Sequence, residues 1–314
     1  MSSKERNPVL LFSGGVGGAK LAVGLSNILM PPELSIVVNT ADDEEIYGLH
    51  VSPDIDTVLY SLAGIVNKET GWGIHNDTFT TLERFDLLGE ETWFRIGDTD
   101  FLTHIKRTKM LIDGHSLSDV TTFFTKKFKI QNKIIPMTDD NVRTVIQTDK
   151  GKFKFQEYFV REKCEPIVHS FQYEGALNSN ISNGFLHALS TSKVLIIGPS
   201  NPILSINPIL SIPKVRDLFL GFDGLRIAVS PIINNYAIRG PLAKMMSELG
   251  LVPSCIEIAK YYKDICDIFV IDSADSLYRG DIENLGMDVF VTDILMTNDK
   301  SKRILAEKLM NYLN

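Results

Sequence analysis

The stretch Pro8–Ser13, PVLLFS, runs directly into Gly14-Gly15-Val16-Gly17-Gly18, and this junction constrains the chain more than any other feature. A short apolar run that ends in glycines reads as a buried strand breaking into a tight turn. Ala19–Met30 then carries apolar residues at helical spacing, and Leu34–Thr40, LSIVVNT, reads as a second buried strand. Strand, glycine turn, helix and strand make a βαβ unit, which demands a parallel sheet with a right-handed crossover. Ser52-Pro53-Asp54 opens a further helix, with serine as N-cap, proline at N1 and an acid in the first turn. That helix is expected to reach about Val66.

The same alternation returns late in the chain. KVLIIG (193–198), LRIAVS (225–230), IFVID (268–272) and DVFVT (288–292) are apolar runs of strand length, separated by helical segments. The middle differs. Helices are expected near Thr81–Leu88, Phe101–Asp113 and Leu117–Phe128, and residues 130–160 read as antiparallel strands, KIIPM among them. The expected fold class is α/β, a doubly wound Rossmann-like parallel sheet. Residues 8–70 and 176–314 form its core, and 71–175 form an inserted α+β cap. In such sheets ligands bind beyond the carboxyl ends of the strands, so functional residues should follow strands.

Composition closes off several alternatives. The 314 residues are 44% hydrophobic and 23% charged, enough for a substantial core. A formal net charge of −7 argues against a nucleic-acid binder. No run approaches 18 uninterrupted apolar residues, so no membrane span is expected. The three cysteines, Cys164, Cys255 and Cys266, lack paired or metal-like spacing and fit a reducing compartment, so the cytoplasm is the expectation. A homodimer is the default assembly, as the commonest one.

The chemistry-bearing stretches do follow strands. Ser13, Gly14, Gly15, Gly17 and Gly18, with Lys20 behind them, let the backbone approach a ligand at a helix N-terminus, where an anion is favoured. The spacing is neither that of a P-loop nor of a dinucleotide fingerprint, which disfavours a nicotinamide dehydrogenase. The bland alternative is a tight turn. After the second strand comes Asn39-Thr40-Ala41-Asp42-Asp43-Glu44-Glu45, and shortly after it Asp54 and Asp56. Each acidic group alone reads as a solvated loop or a helix start. Together, beside a phosphate loop, Asp42, Asp43, Asp54 and Asp56 are candidate oxygen ligands for a hard divalent cation. Gly198-Pro199-Ser200-Asn201 ends a later strand, and Gly198, Ser200 and Asn201 are candidate phosphate contacts. Arg239 is a further candidate anion contact. Asp98, Asp100, His104 and Arg107 lie close together, with a local acid–histidine pair as the plain reading.

Taken in order, SGGVGGAK, VVNTADDE, SPDIDTVLY, GWGIHNDTF, RIGDTDFLTHIKRT, PMTDD, IGPSNPILSI, SPII and RGPLAKMM resemble the 2-phospho-L-lactate transferase family of coenzyme F-420 biosynthesis. The resemblance runs from about Val9 to near Met296. It implies a magnesium-dependent enzyme acting on two small molecules. These are the deazaflavin Fo and a guanosine-diphosphate-linked three-carbon acid, and the products are F-420-0, or its dehydro form, and GMP. By this resemblance Asp56 and Arg95 match Fo-contacting positions and Asp42, Asp43, Asp54 and Asp56 match the metal region, with Asp42, Asp43 and Asp56 as the expected catalytic acids. SGGVGGAK and GPSNP match the loops around the nucleotide. Methanogen members often read SGGTGTPK in the first loop, and the departure at Val16 and Gly18-Ala19 leaves the donor acid open. The YvcK-like regulatory proteins share the fold and a glycine-rich opening, so a nucleotide sensor without turnover is the competing expectation.

Overall fold

In the computed structural model, which describes residues 7–238 and 240–313, a seven-stranded sheet forms the centre. Its strands are β1 (Val9–Ser13), β2 (Leu34–Val38), β5 (Lys133–Pro136), β9 (Val194–Ile197), β10 (Leu225–Val229), β13 (Ile268–Ile271) and β14 (Asp288–Val291). Their order is β14-β13-β10-β9-β1-β2-β5, and every pairing is parallel. Alternate residues of each strand feed opposite cores. Leu10 and Phe12 join Leu195, Ile197, Ala228 and Phe269 on one face, whereas Val9 and Leu11 join Ile36, Val38, Ile196 and Val270 on the other. Both faces are covered by helices, so the strands are apolar throughout rather than alternating. The expected doubly wound α/β class is what is found.

Three small antiparallel sheets stand outside this sheet. They are β3 (Glu44–Ile46) with β4 (Leu49–Val51), β11 (Ile232–Ile233) with β12 (Tyr236–Ala237), and β6 (Arg143–Thr148) between β7 (Gly151–Lys154) and β8 (Val168–Glu174). Five helices precede β5: α1 (Gly15–Ser26), α2 (Pro53–Leu62), α3 (Thr80–Leu87), α4 (Asp98–Ile112) and α5 (Leu117–Lys127). No helix of the described residues is long and apolar enough to cross a membrane.

Two expectations need correction. KIIPM is not part of an antiparallel cap: Ile134 pairs with Ile36 and Ile135 with Val37, in parallel, at the edge of the main sheet. Segment 71–175 is therefore not one insertion, because its strand β5 belongs to the core. Ile134 and Ile135 are buried on opposite faces of that sheet, which a half-exposed antiparallel strand would not require. The first helix also begins earlier than Ala19, at Gly15, so the glycine run is itself the first helical turn.

The chain leaves β1 for β2 and β5 on one side, then returns to β9 on the other side of β1. The crevice of a doubly wound sheet opens where strand order reverses. Here that is the carboxyl edge between β1 and β9, so the glycine loop after β1 and the GPSN loop after β9 are set side by side.

Candidate functional site

The two loops meet with no room for side chains between them. A Cβ on Gly17 would lie 2.1 Å from the Pro199 carbonyl oxygen, and one on Gly18 would lie 2.3 Å from Ser13 Oγ. Gly15 has φ +61°, a left-handed conformation that disfavours other residues. Ser200 Oγ donates to the Gly14 carbonyl at 2.8 Å and accepts from the Gly14 N–H at 3.1 Å, locking one loop to the other. Asn201 caps the following turn by accepting from Ile203 N and Leu204 N. These two side chains hold the loop geometry.

A cleft of about 440 Å³ opens above this junction, within the usual range for small-molecule sites. Its lining includes Gly14, Gly15 and Gly17 with Asp42 and Asp54. Asp54 accepts from Gly15 N through Oδ1 at 2.6 Å and from Asn39 Nδ2 through Oδ2 at 2.9 Å. Burial pushes its carboxyl up to about 6, although the Asn39 and Gly15 bonds oppose the shift. Asp42 is buried as well, and burial together with the neighbouring Asp54 charge raises it well above the usual carboxylate range. Its Oδ1 has no hydrogen-bond partner. Asp43 Oδ1 is unpaired in the same way, and a buried carboxylate oxygen without a partner is costly.

Aromatic rings line the same cleft: Trp72, Trp93, Phe94, Phe155 and Phe159. Phe155 and Phe159 are stacked at 5.4 Å, and Arg95 lies over the Phe79 ring at 4.1 Å while reaching the cleft. Asp56, on α2, also lines the cleft and is bound by Arg107 of α4: Arg107 Nη1 donates to Oδ2 at 3.0 Å and Nη2 to Oδ1. Burial raises the Asp56 carboxyl, and the Arg107 and His104 charges oppose that rise.

The candidate residues divide accordingly. Gly14, Gly15, Gly17, Lys20, Asp42, Asp54, Asp56, Arg95, Ser200 and Asn201 face one cleft. Lys20 Nζ donates to the Met296 carbonyl at 2.8 Å, which ties the loop helix to the C-terminal wall. Ser13, Gly18 and Gly198 lie beneath the loops and shape them without lining the cleft; a Cβ on Gly198 would lie 3.2 Å from Gly18 Cα. Asp43 is not brought to the cleft. Its Oδ2 accepts from Ser52 Oγ at 2.7 Å and contacts His50 Nε2 at 3.0 Å, so the β3–β4 hairpin turns it away from its neighbour Asp42. Arg239 lies outside the described residues. Sequence reading grouped Arg107 with Asp98, Asp100 and His104 but did not join it to Asp56, and it missed Tyr60, Phe155 and Phe159. The spacing of Asp100, His104 and Arg107 on one face of α4 was the available signal, but its partner lay 51 positions upstream.

The comparisons with known proteins agree with one another. The family model described as 2-phospho-L-lactate transferase CofD matches residues 9–310. A 2-phospho-L-lactate transferase of Methanosarcina mazei is 41% identical over 299 residues, covering 95% of this chain and 98% of its own. One from Methanocaldococcus jannaschii is 38% identical over 308 residues, covering 97% of both. The crystal structure of a UPF0052-family protein from Bacillus halodurans matches with a TM-score of 0.63 over 98% of this chain and 100% of its own, at 14% identity. That last likeness speaks to the fold alone. The family match extends over nearly all of the chain, and by it the chain belongs to the 2-phospho-L-lactate transferase family.

Proposed function

We propose that this chain transfers a phospholactyl group, or its phosphoenolpyruvyl counterpart, from a guanosine-diphosphate-linked three-carbon acid to the ribityl hydroxyl of the deazaflavin Fo, releasing GMP. Membership of a transferase family supports the reaction type. One observation carries the pairing of substrates: a single cleft is lined both by the glycine loop with its acids and by aromatic rings with Arg95. A nucleotide sensor would need the first set and not the second.

The chemistry is a displacement at phosphorus. The acceptor oxygen bonds to the phosphorus that carries the three-carbon acid, and the bond from that phosphorus to the bridging oxygen breaks. GMP leaves with the electron pair, and the hydroxyl proton passes to a carboxylate. Catalysis of this kind rests on positioning and on neutralising oxygen charge. The Gly15 N–H is taken by Asp54, and the first-turn N–H groups of α1 that follow it have no carbonyl within their own helix to bond and suit an anion. Asp56, which lines the cleft, is the carboxylate set to receive the proton.

Among the described residues, no three carboxylate, imidazole or thiol groups converge as a ready-made metal cage. Magnesium does not ask for one, since it commonly takes one or two carboxylates and completes its shell with substrate phosphates and water. Asp42 and the neighbouring Asp54, which both line the cleft, fit that role. When bound, the ion would neutralise the pyrophosphate oxygens. Asp43, turned away, and Asp56, held by Arg107, fit it less well.

The test is direct. Purified protein is incubated with Fo, magnesium and, separately, guanosine-diphosphate-linked lactate and enolpyruvate, and GMP and the deazaflavin product are followed by mass. Product from one donor supports the reading and names the acid. Tight guanine-nucleotide binding without product from either donor would favour the sensor.

A further inference from the structure

Behind Asp56 runs a chain of buried polar side chains that starts and finishes on the same helix. Arg107 takes both Asp56 oxygens with its two terminal nitrogens. The same Nη1 donates to His104 Nδ1 at 3.1 Å. A guanidinium only donates, so Nδ1 must accept, and in the neutral ring the proton sits on Nε2. Nε2 faces Asp100 Oδ1 at 3.3 Å, and the same oxygen accepts from Tyr60 Oη at 2.6 Å. Tyr60 lies one turn after Asp56 on α2, and Asp100, His104 and Arg107 share one face of α4.

Four members of this chain, Asp56, Tyr60, Asp100 and His104, line the cleft; Arg107 does not. Arg107 is only 1% exposed and is among the largest fully buried side chains. Burying a guanidinium is costly, and an apolar pair of similar volume usually serves stability at least as well. The arrangement serves geometry better than it serves stability. A two-pronged fork fixes the plane of a carboxylate, which a single ammonium contact cannot do.

We infer that Arg107 is a positioning residue: it acts through Asp56, holding that carboxylate in the orientation that receives the acceptor hydroxyl. His104 and Asp100 hold the guanidinium in turn. The inference rests on the proposed transfer to an acceptor hydroxyl. It goes beyond that reading by placing a determinant of the acceptor step outside the cleft.

The experiment is a double-mutant cycle of Asp56→Asn and Arg107→Lys, scored as kcat/KM for Fo and KM for the guanosine-diphosphate-linked donor. Arg107→Lys is expected to lower kcat/KM for Fo on the order of a hundredfold, the cost of a reacting group misplaced by about 1 Å. The donor KM should stay within about twofold. In the Asp56→Asn background the same change should add no more than about twofold, because its route of action is gone. A full independent loss in that background would overturn the inference, as would a donor KM rising in step. Should thermal melting show Arg107→Lys unfolded, Arg107→Gln enters the same cycle. A wild-type protein that makes no product from Fo with either donor overturns the transferase reading itself, and the inference falls with it. Product from the wild type with independent effects of the two changes overturns the inference alone.

Discussion

Replacing Gly17 by alanine tests whether the close contact between the two loops is what shapes the glycine-loop lining of the cleft. The added Cβ would sit 2.1 Å from the Pro199 carbonyl oxygen and 3.1 Å from its carbon, and the obstacle is backbone, which cannot rotate away. To regain van der Waals contact the glycine loop and the GPSN loop must part by roughly 1 Å. Overpacking of this kind costs about 1–3 kcal/mol. In a protein of this size that is a drop in Tm of about 2–6 °C. The functional effect should be larger, since a shift of about 1 Å at a reacting centre costs roughly a hundredfold. The Ser200–Gly14 hydrogen bonds span the same junction and would lengthen together. Thermal melting and titration with GDP measure both effects. Gly280→Ala is the control, because a Cβ there meets nothing within 4 Å. If Gly17→Ala melts and binds GDP as Gly280→Ala does, the loops do not need their contact and the reasoning fails.

Asp54 carries a pH signature. Its carboxyl is raised by burial from 3.8 to about 6, so the folded state holds its proton more tightly than the unfolded state. The stability from that proton is complete below about pH 4 and is lost as pH rises through about 6, amounting to roughly 3 kcal/mol. Denaturant unfolding across pH 4–7 should show Asp54→Asn declining less steeply than wild type, and equal slopes would remove Asp54 as the source. Arg107→Met alone should cost about 3–5 kcal/mol, because it leaves the Asp56 charge buried and unpaired. Asp56→Asn with Arg107→Met should cost clearly less in the same assay, and a double variant no more stable than the single would contradict the pairing. Trp93→Ala should weaken Fo binding by about 1 kcal/mol while GDP affinity holds, as measured by calorimetry. Equal losses for both ligands would place Trp93 outside the Fo-binding part of the cleft.

Much of this architecture was legible because buried parallel strands must be apolar throughout. PVLLFS, LSIVV, KVLII, LRIAV and IFVI stand out as runs for that reason, and the glycine and GPSN loops directly follow two of them. KIIP looked no different from an antiparallel edge. Four residues cannot reveal whether one face or both will be covered, and only its pairing with Leu34–Val38 decides that. The glycines likewise announced a close approach without naming the partner, which is the Pro199 carbonyl 182 residues away by number.

The acids show where the division falls. That they follow strands at the ligand-binding edge is a property of the sequence alone, since chain order and the right-handed crossover dictate it. Which acid enters the cleft is not. Asp42 and Asp43 are adjacent, yet Asp42 lines the cleft while Asp43 turns to Ser52 and His50. Ala41 and Asp42 sit in a turn closed by the Asp43 N–H on the Thr40 carbonyl at 3.2 Å, and that turn with the hairpin after it separates the two side chains. Asp56 and Arg107 met because α2 and α4 pack together, a long-range contact paid for by tertiary burial that no local spacing encodes. Local chemistry determined that a site would lie at this edge, and packing between distant segments decided which charges face it.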